Sequence, residues 1–189
     1  IGFAEVMIEE RFGAVANERY REYLRDIRTS GEHLVSLVND LLDISKIEAG
    51  KLELNFSAVA LNDVVRESIG LMQPQANRAR VVLRSSLSCE VPAIVADERT
   101  LRQIVLNLLS NSVKFTGPGG QVIASTSLAE TGEALLRVRD TGEGMSEDEL
   151  ARALEPFRQI TTATLSDRTG TGLGLPLTKA LVEANRANL

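Results

Sequence analysis

The stretch Leu101-Arg102-Gln103-Ile104-Val105-Leu106-Asn107-Leu108-Leu109-Ser110-Asn111-Ser112-Val113-Lys114-Phe115-Thr116 decides the fold. At helical spacing Thr100, Gln103, Asn107, Asn111 and Lys114 fall on one narrow stripe. Leu101, Ile104, Leu108 and Phe115 flank it on one side, Leu106 and Val113 on the other. A helix apolar on both flanks is mostly buried, and buried carboxamides and an ammonium are costly unless hydrogen-bonded or paired. A bound anion with a hard cation would satisfy amide oxygens and a lysine together. A helix whose stripe simply meets solvent is the competing reading, and this stretch alone does not separate the two.

Two glycine-rich segments downstream do. Asp140-Thr141-Gly142-Glu143-Gly144-Met145 follows the strand-like run from Ala134 to Arg139. Gly170-Thr171-Gly172-Leu173-Gly174-Leu175 opens a helical stretch that runs to about Asn185. Glycines ahead of a helix let the backbone approach phosphates, and the helix N-terminus presents unpaired N–H groups to them. Either segment alone is more often a tight turn or mobile loop than a nucleotide site, and an Asp ending a strand is commonly a turn former or helix cap. The specific signal is the order: amide-and-lysine helix, Asp-x-Gly-x-Gly, Glu155-Pro156-Phe157, then Gly-x-Gly-x-Gly.

In that order the chain resembles the sensor histidine kinases of two-component signalling, whose ATP-binding domain belongs to the superfamily shared with gyrase, Hsp90 and MutL. The N box matches at Asn107, Asn111, Lys114 and Phe115, and the first glycine box at Asp140, Gly142 and Gly144. The aromatic box matches at Glu155, Pro156 and Phe157, and the second glycine box at Gly170, Gly172 and Gly174, with Thr171 and Leu173 between them. Upstream, Ser45-Lys46-Ile47-Glu48-Ala49-Gly50 resembles the end of the second helix of the kinase dimerisation hairpin. The resemblance covers essentially the whole chain.

Bulk properties agree. A chain of 189 residues accommodates one sizeable core plus a helical appendage. A formal charge of −5 and 4% aromatic residues argue against nucleic acid as a partner. Cys89 is the only cysteine, which excludes a disulfide frame and suits a reducing compartment. No apolar run approaches the roughly 18 residues of a membrane span, and nothing resembles a signal peptide. These residues are therefore expected in the cytoplasm without membrane contact, whether or not the full-length protein is anchored. The start at Ile1, with no initiator Met, reads as a piece of something larger.

The chain divides near Gly50. Before it, Tyr20, Leu24, Ile27, Gly31, Leu34, Val38 and Leu41 recur at alternating steps of four and three, a bundle seam widened by Leu37, Leu42 and Ile44. Residues 1–11 read as the tail of an earlier helix, and Gly13 to Asn17 as the turn back. Two antiparallel helices cannot bury so wide a stripe, so a homodimeric four-helix bundle completes it, against a monomeric helix packed on its own neighbouring domain. After Gly50, strands are expected at Leu52–Phe56, Val81–Ser85, Ala93–Val95, Gln121–Leu128 and Ala134–Arg139, with a helix over Leu61–Asn77. Asp97 is the expected N-cap of the helix carrying Asn107, and Glu130–Gly132 the turn of a hairpin. The fold class is α/β: a dimerisation segment over residues 1–50, then an α/β sandwich of the histidine-kinase ATPase type over 51–189.

The resemblance implies the roles. Asp140 would accept the adenine amino hydrogen, directly or through water, where guanine presents an acceptor instead. Asn111 would place its side-chain oxygen on Mg²⁺ bridging the phosphates of ATP. Lys114 would neutralise phosphate charge. The stretch from Phe157 to Thr169 would form a lid, with Arg158 and Arg168 either reaching the γ-phosphate or simply solvated. The hydrolases of the superfamily carry a general-base glutamate where this chain has Asn107, which cannot take a proton from water. That favours phosphoryl transfer to a protein, with a response regulator receiver domain as the next partner, over ATP hydrolysis. A kinase-like scaffold without an acceptor histidine is the other alternative.

His33 is the only histidine, and it does not match the acceptor motif. That motif is His-Glu/Asp-x-Arg/Lys-x-Pro on the first hairpin helix, whereas His33 precedes Leu34-Val35-Ser36-Leu37-Val38 on the second. The acceptor is expected upstream of Ile1. At the other end the family usually continues with His-Gly-Gly and two closing strands, where this chain has Glu183 to Leu189, so the sheet is expected to lack its final strands.

Overall fold

The computed structural model describes residues 1–158 and 171–189. They form two compact units, Ile1–Ser45 and Lys46–Leu189. The expected strand at Leu52–Phe56 is absent from the described elements.

In the first unit a short helix α1 (Gly2–Ile8) precedes the long helix α2 (Glu18–Glu48). Glu10 pairs with Arg21, and a side chain at Gly31 would meet Ile1 at 2.7 Å. Early residues of α1 thus face the middle of α2 and late ones its start, the antiparallel hairpin expected from the seam. Leu24 and Ile44 are buried, but most of the seam is open. Tyr20, Ile27, Leu34, Val38 and Leu41 are all 43% or more exposed, far more apolar surface than a lone helix ordinarily leaves in water.

The second unit begins with an irregular segment and then β1 (Ser57–Val59), α3 (Leu61–Ala79), β2 (Val82–Leu87), β3 (Ile94–Ala96) and α4 (Glu98–Phe115). A hairpin of β4 (Gln121–Leu128) and β5 (Ala134–Asp140) follows, then α5 (Glu147–Ala153) and α6 (Gly174–Ala184). The apolar alternation of Leu52, Leu54 and Phe56 makes no ladder. The N–H of Asn55 donates to the Asp97 side chain at 2.8 Å, and pairing starts only at Ser57, opposite Ala96.

The described strands make two sheets, β1–β3 and β2–β4–β5. Strand β2 runs parallel to β4, with Val82 beside Gln121, and β4 runs antiparallel to β5, with Val122 opposite Asp140. Along β4, Val122, Ala124 and Thr126 are buried in alternation, the period of a strand with one face on a core. Helices α3 and α4 cover that face. Val65, Val105, Leu109 and Val122 are 0% exposed, and each such side chain contributes about 1.5–3 kcal/mol relative to leaving it in water.

Candidate functional site

Helix α4 starts where the chain is most firmly tied. Asp97 is 4% exposed; its Oδ1 accepts the Thr100 N–H and its Oδ2 the Asn55 N–H, both at 2.8 Å. Asn185, just past α6, accepts the Asp97 N–H at 3.0 Å and donates to the Thr100 hydroxyl at 2.8 Å. Burial pushes the Asp97 carboxyl up, but the hydrogen bonds from Thr100 and Asn55 outweigh it and hold the group below the usual carboxylate range. The start of α4 and the end of α6 are thereby fixed to each other, which sets the spacing of the two helices that carry the expected nucleotide residues.

Two turns beyond Thr100 along the stripe, Asn107 Nδ2 lies 3.4 Å from the Thr178 hydroxyl of α6, a long and weak contact. Asn111 is half-buried and makes no hydrogen bond among the described residues. Its carboxamide lies against the first residue of α6: a side-chain carbon on Gly174 would sit 3.6 Å from Asn111 Nδ2 and 3.9 Å from Oδ1. Amides shielded from water are ordinarily satisfied, so this carboxamide has hydrogen-bonding capacity left over among the described residues. The donor chemistry fits a phosphate-bridging cation: a neutral oxygen from α4 beside the N–H groups that open α6.

Lys114 is half-buried, and burial alone pushes its ammonium below the ordinary lysine value. Its Nζ lies 5.2 Å from the ring centroid of Phe115, within cation–π range. Lys114 also borders a cleft of about 490 Å³ with Arg78 and Arg80. Neither Asn111 nor Asp140 lines that cleft, and its cations stand at the C-terminal ends of α3 and α4, where they complement the helix dipoles.

The Asp140 turn packs directly on the end of α4. Asp140 Oδ1 accepts the Gly142 N–H at 2.9 Å, and its Oδ2 accepts the Ser112 hydroxyl at 3.1 Å. Any side chain at Gly142 would lie 2.7 Å from the Phe115 carbonyl oxygen, so only glycine permits this approach. Gly144 has φ of 71° with open space around it, the left-handed conformation that glycine adopts without strain.

The second glycine box meets the aromatic box. The Phe157 N–H donates to the Gly172 carbonyl at 3.1 Å. Gly172 has φ of 70°, and a side chain there would press on the Phe157 and Arg158 backbone at 3.0 Å. Leu173 is 1% exposed, and the Thr171 hydroxyl accepts its N–H at 3.1 Å. Arg158 pairs with Glu155 at 3.1 Å in solvent. Gly170, Arg168 and most of the expected lid from Phe157 to Thr169 lie outside the described residues.

The structure thus brings Asn107, Asn111, Lys114, Phe115, Asp140, Gly142 and Gly174 around the C-terminal half of α4, whereas Gly172 packs on the backbone of Phe157 and Arg158. Sequence reasoning missed three contributors. Ser112 lies off the polar stripe, and nothing in its spacing signals Asp140. Asn185 reads in the sequence only as the end of a helix. Helix α5 was not expected, although Ser146 and Glu149 form a reciprocal capping box visible as Ser-x-x-Glu.

Known proteins match both units. The family described as "Histidine kinase-, DNA gyrase B-, and HSP90-like ATPase" matches residues 96–188, and the "His Kinase A (phospho-acceptor) domain" matches residues 1–50. The cell-division control histidine kinase PdhS of Brucella anthropi is 60% identical over 99% of this chain, which spans 18% of that relative's length. Among solved structures, full-length ShkA in complex with AMPPNP is 35% identical with a TM-score of 0.78, covering 96% of this chain and 37% of its own. Histidine kinase ThkA in complex with response regulator protein TrrA is 20% identical with a TM-score of 0.66, covering 98% of this chain and 50% of its own, a likeness of fold.

The chain belongs to the sensor histidine kinases. Its helical N-terminal region is of the phospho-acceptor type, and the α/β domain after it is of the nucleotide-binding ATPase type. No helix among the described residues is long and apolar enough to cross a membrane.

Proposed function

We propose that this chain is the core of an ATP-dependent protein-histidine kinase, with a dimerisation segment over residues 1–50 and a catalytic domain over 51–189. It would bind Mg-ATP beside the second half of α4 and direct the terminal phosphoryl group to an acceptor histidine other than His33, for relay to a receiver domain. The observation that carries this reading is the half-buried carboxamide of Asn111, unpartnered among the described residues and set against the opening of α6 at Gly174. Bound Mg-ATP supplies the transferable phosphoryl group and the cation that an amide oxygen can hold.

The chain's own residues divide the work. Asn111 offers its oxygen to the metal, and Lys114 balances phosphate charge from a partly desolvated position, where an ammonium interacts more strongly than in bulk water. Asp140 presents an anionic acceptor to the amino group of adenine. The backbone N–H groups of Thr171, Gly172 and Gly174 would be offered to the phosphates. Phosphoryl transfer needs positioning and electrostatics more than a proton acceptor, and Asn107, whose amide lies against Thr178, cannot act as a general base on water. That separates this reading from ATP hydrolysis. The exposed row of Tyr20, Ile27, Leu34, Val38 and Leu41 supports a homodimer through α2.

Incubation with labelled Mg-ATP tests the assignment. The chain should retain nucleotide in equilibrium dialysis and stay unlabelled after separation under alkaline conditions that preserve phosphohistidine. Label on His33, or no retained ATP, contradicts it.

A further inference from the structure

Ser112 deepens that reading and rests on the assignment of Asp140 to adenine. The other buried hydroxyls along α3, α4 and α6 turn back on the backbone of their own helix. Ser68 donates to the Val64 carbonyl at 2.7 Å, Thr116 to Ser112 at 2.7 Å and Thr178 to Gly174 at 2.8 Å, the usual bond to the carbonyl four residues earlier. Ser112 is buried as they are, at 9% exposed. Its hydroxyl instead leaves the helix and donates to Asp140 Oδ2 at 3.1 Å. The second oxygen of the same carboxylate is held by the Gly142 N–H at 2.9 Å.

We propose that Ser112 is a positioning residue for base selection: it fixes the plane of the Asp140 carboxylate so that an acceptor, and only an acceptor, faces the six-position of the purine. The terminal torsion of an aspartate is broad and roughly two-fold, so a single tether on Oδ1 leaves the other oxygen free to swing. Two donors from two different elements, the end of α4 and the Asp140 turn, remove that freedom. They occupy two of the carboxylate's roughly four acceptor sites and leave the remainder to the ligand. Because a carboxylate only accepts, the serine hydroxyl is committed as a donor and cannot itself invert the pattern.

The test compares ATP with ITP, whose base carries a carbonyl where adenine carries an amino group, by calorimetric titration of wild type, Ser112→Ala, Asp140→Asn and the double variant. Alanine is the stronger helix former, so Ser112→Ala retains α4, and a thermal melt confirms it. Wild type should prefer ATP. Ser112→Ala should shrink that preference by about 3–10-fold, the scale of one lost hydrogen bond, while ITP affinity stays within error. In the Asp140→Asn background the same serine change should add nothing. If Ser112→Ala weakens ATP and ITP equally, or still costs ATP affinity in the Asp140→Asn background, the serine is only a packing residue and the inference is overturned. If wild type itself does not prefer ATP, the assignment of Asp140 falls first and takes the inference with it.

Discussion

Asp97 offers the sharpest test of how the second unit is held, because its two oxygens serve different segments. Asp97→Asn keeps the shape and remains a good N-cap, so its single oxygen can still accept the Thr100 N–H. The amide's NH₂ then faces the Asn55 N–H, donor against donor, where wild type has a bond of 2.8 Å. Losing one charge-assisted bond in a site only 4% exposed costs about 1.5–3 kcal/mol. Asp97→Ala also forfeits the cap, a further ~0.5–2 kcal/mol. For a domain of this size each kcal/mol lowers Tm by roughly 2–4 °C, so the Asn variant should melt about 3–12 °C lower and the Ala variant lower still. The carboxyl titrates below its ordinary value in the folded chain. Its stabilisation is therefore present above the unfolded value near ~3.9 and lost as pH falls through the folded value. Urea titration followed by far-UV circular dichroism measures the global change, and amide exchange at Asn55 and Thr100 locates it. The gap between wild type and Asp97→Asn should close below about pH 4. A gap that persists unchanged at pH 3, or faster exchange at Thr100 than at Asn55 in the Asn variant, refutes the reasoning.

Two more outcomes follow from the geometry. Gly142→Ala places a carbon 2.7 Å from the Phe115 carbonyl, so the Asp140 turn must move; ATP affinity should fall at least about tenfold, as it would for a lost hydrogen bond to a charged group, with α4 still folded by circular dichroism. Changing Leu34 and Val38 to Asp puts charges on a row now 55% or more exposed at both positions; light scattering should then report monomer with ATP binding intact. A wild-type chain that is monomeric at high concentration removes the dimer proposal.

Much of the site was legible because its chemistry is local. The stripe of Asn107, Asn111 and Lys114 between apolar flanks announced a helix, and Asp97 announced where it begins. The hairpin from Gln121 to Asp140 was legible from alternation and the Glu130–Gly132 turn. What failed was anything decided by distant partners. Leu52, Leu54 and Phe56 alternate as a strand would, yet the segment's backbone bonds to a side chain 42 residues away. The two-strand sheet of β1 and β3 and the parallel pairing of β2 with β4 depend on contacts that no periodicity encodes. Ser112 and Asp140 lie 28 residues apart, and their bond exists only because the turn after β5 returns to the end of α4. Helix α5 is a different kind of miss: its capping box of Ser146 and Glu149 is local and was overlooked.

The central claim is that Asn111 reads the metal and Asp140 reads the base, and one set of titrations tests it: ATP against Asn111→Ala and Asp140→Asn, each in Mg²⁺ and in chelator. Asp140→Asn should weaken ATP and ADP alike by about 1.5–3 kcal/mol, on the order of tenfold to a hundredfold, whether or not Mg²⁺ is present. Asn111→Ala should lose affinity chiefly in Mg²⁺ and approach wild type in chelator. Equal losses for Asn111→Ala under both conditions would show that the asparagine is not a metal ligand and contradict the account.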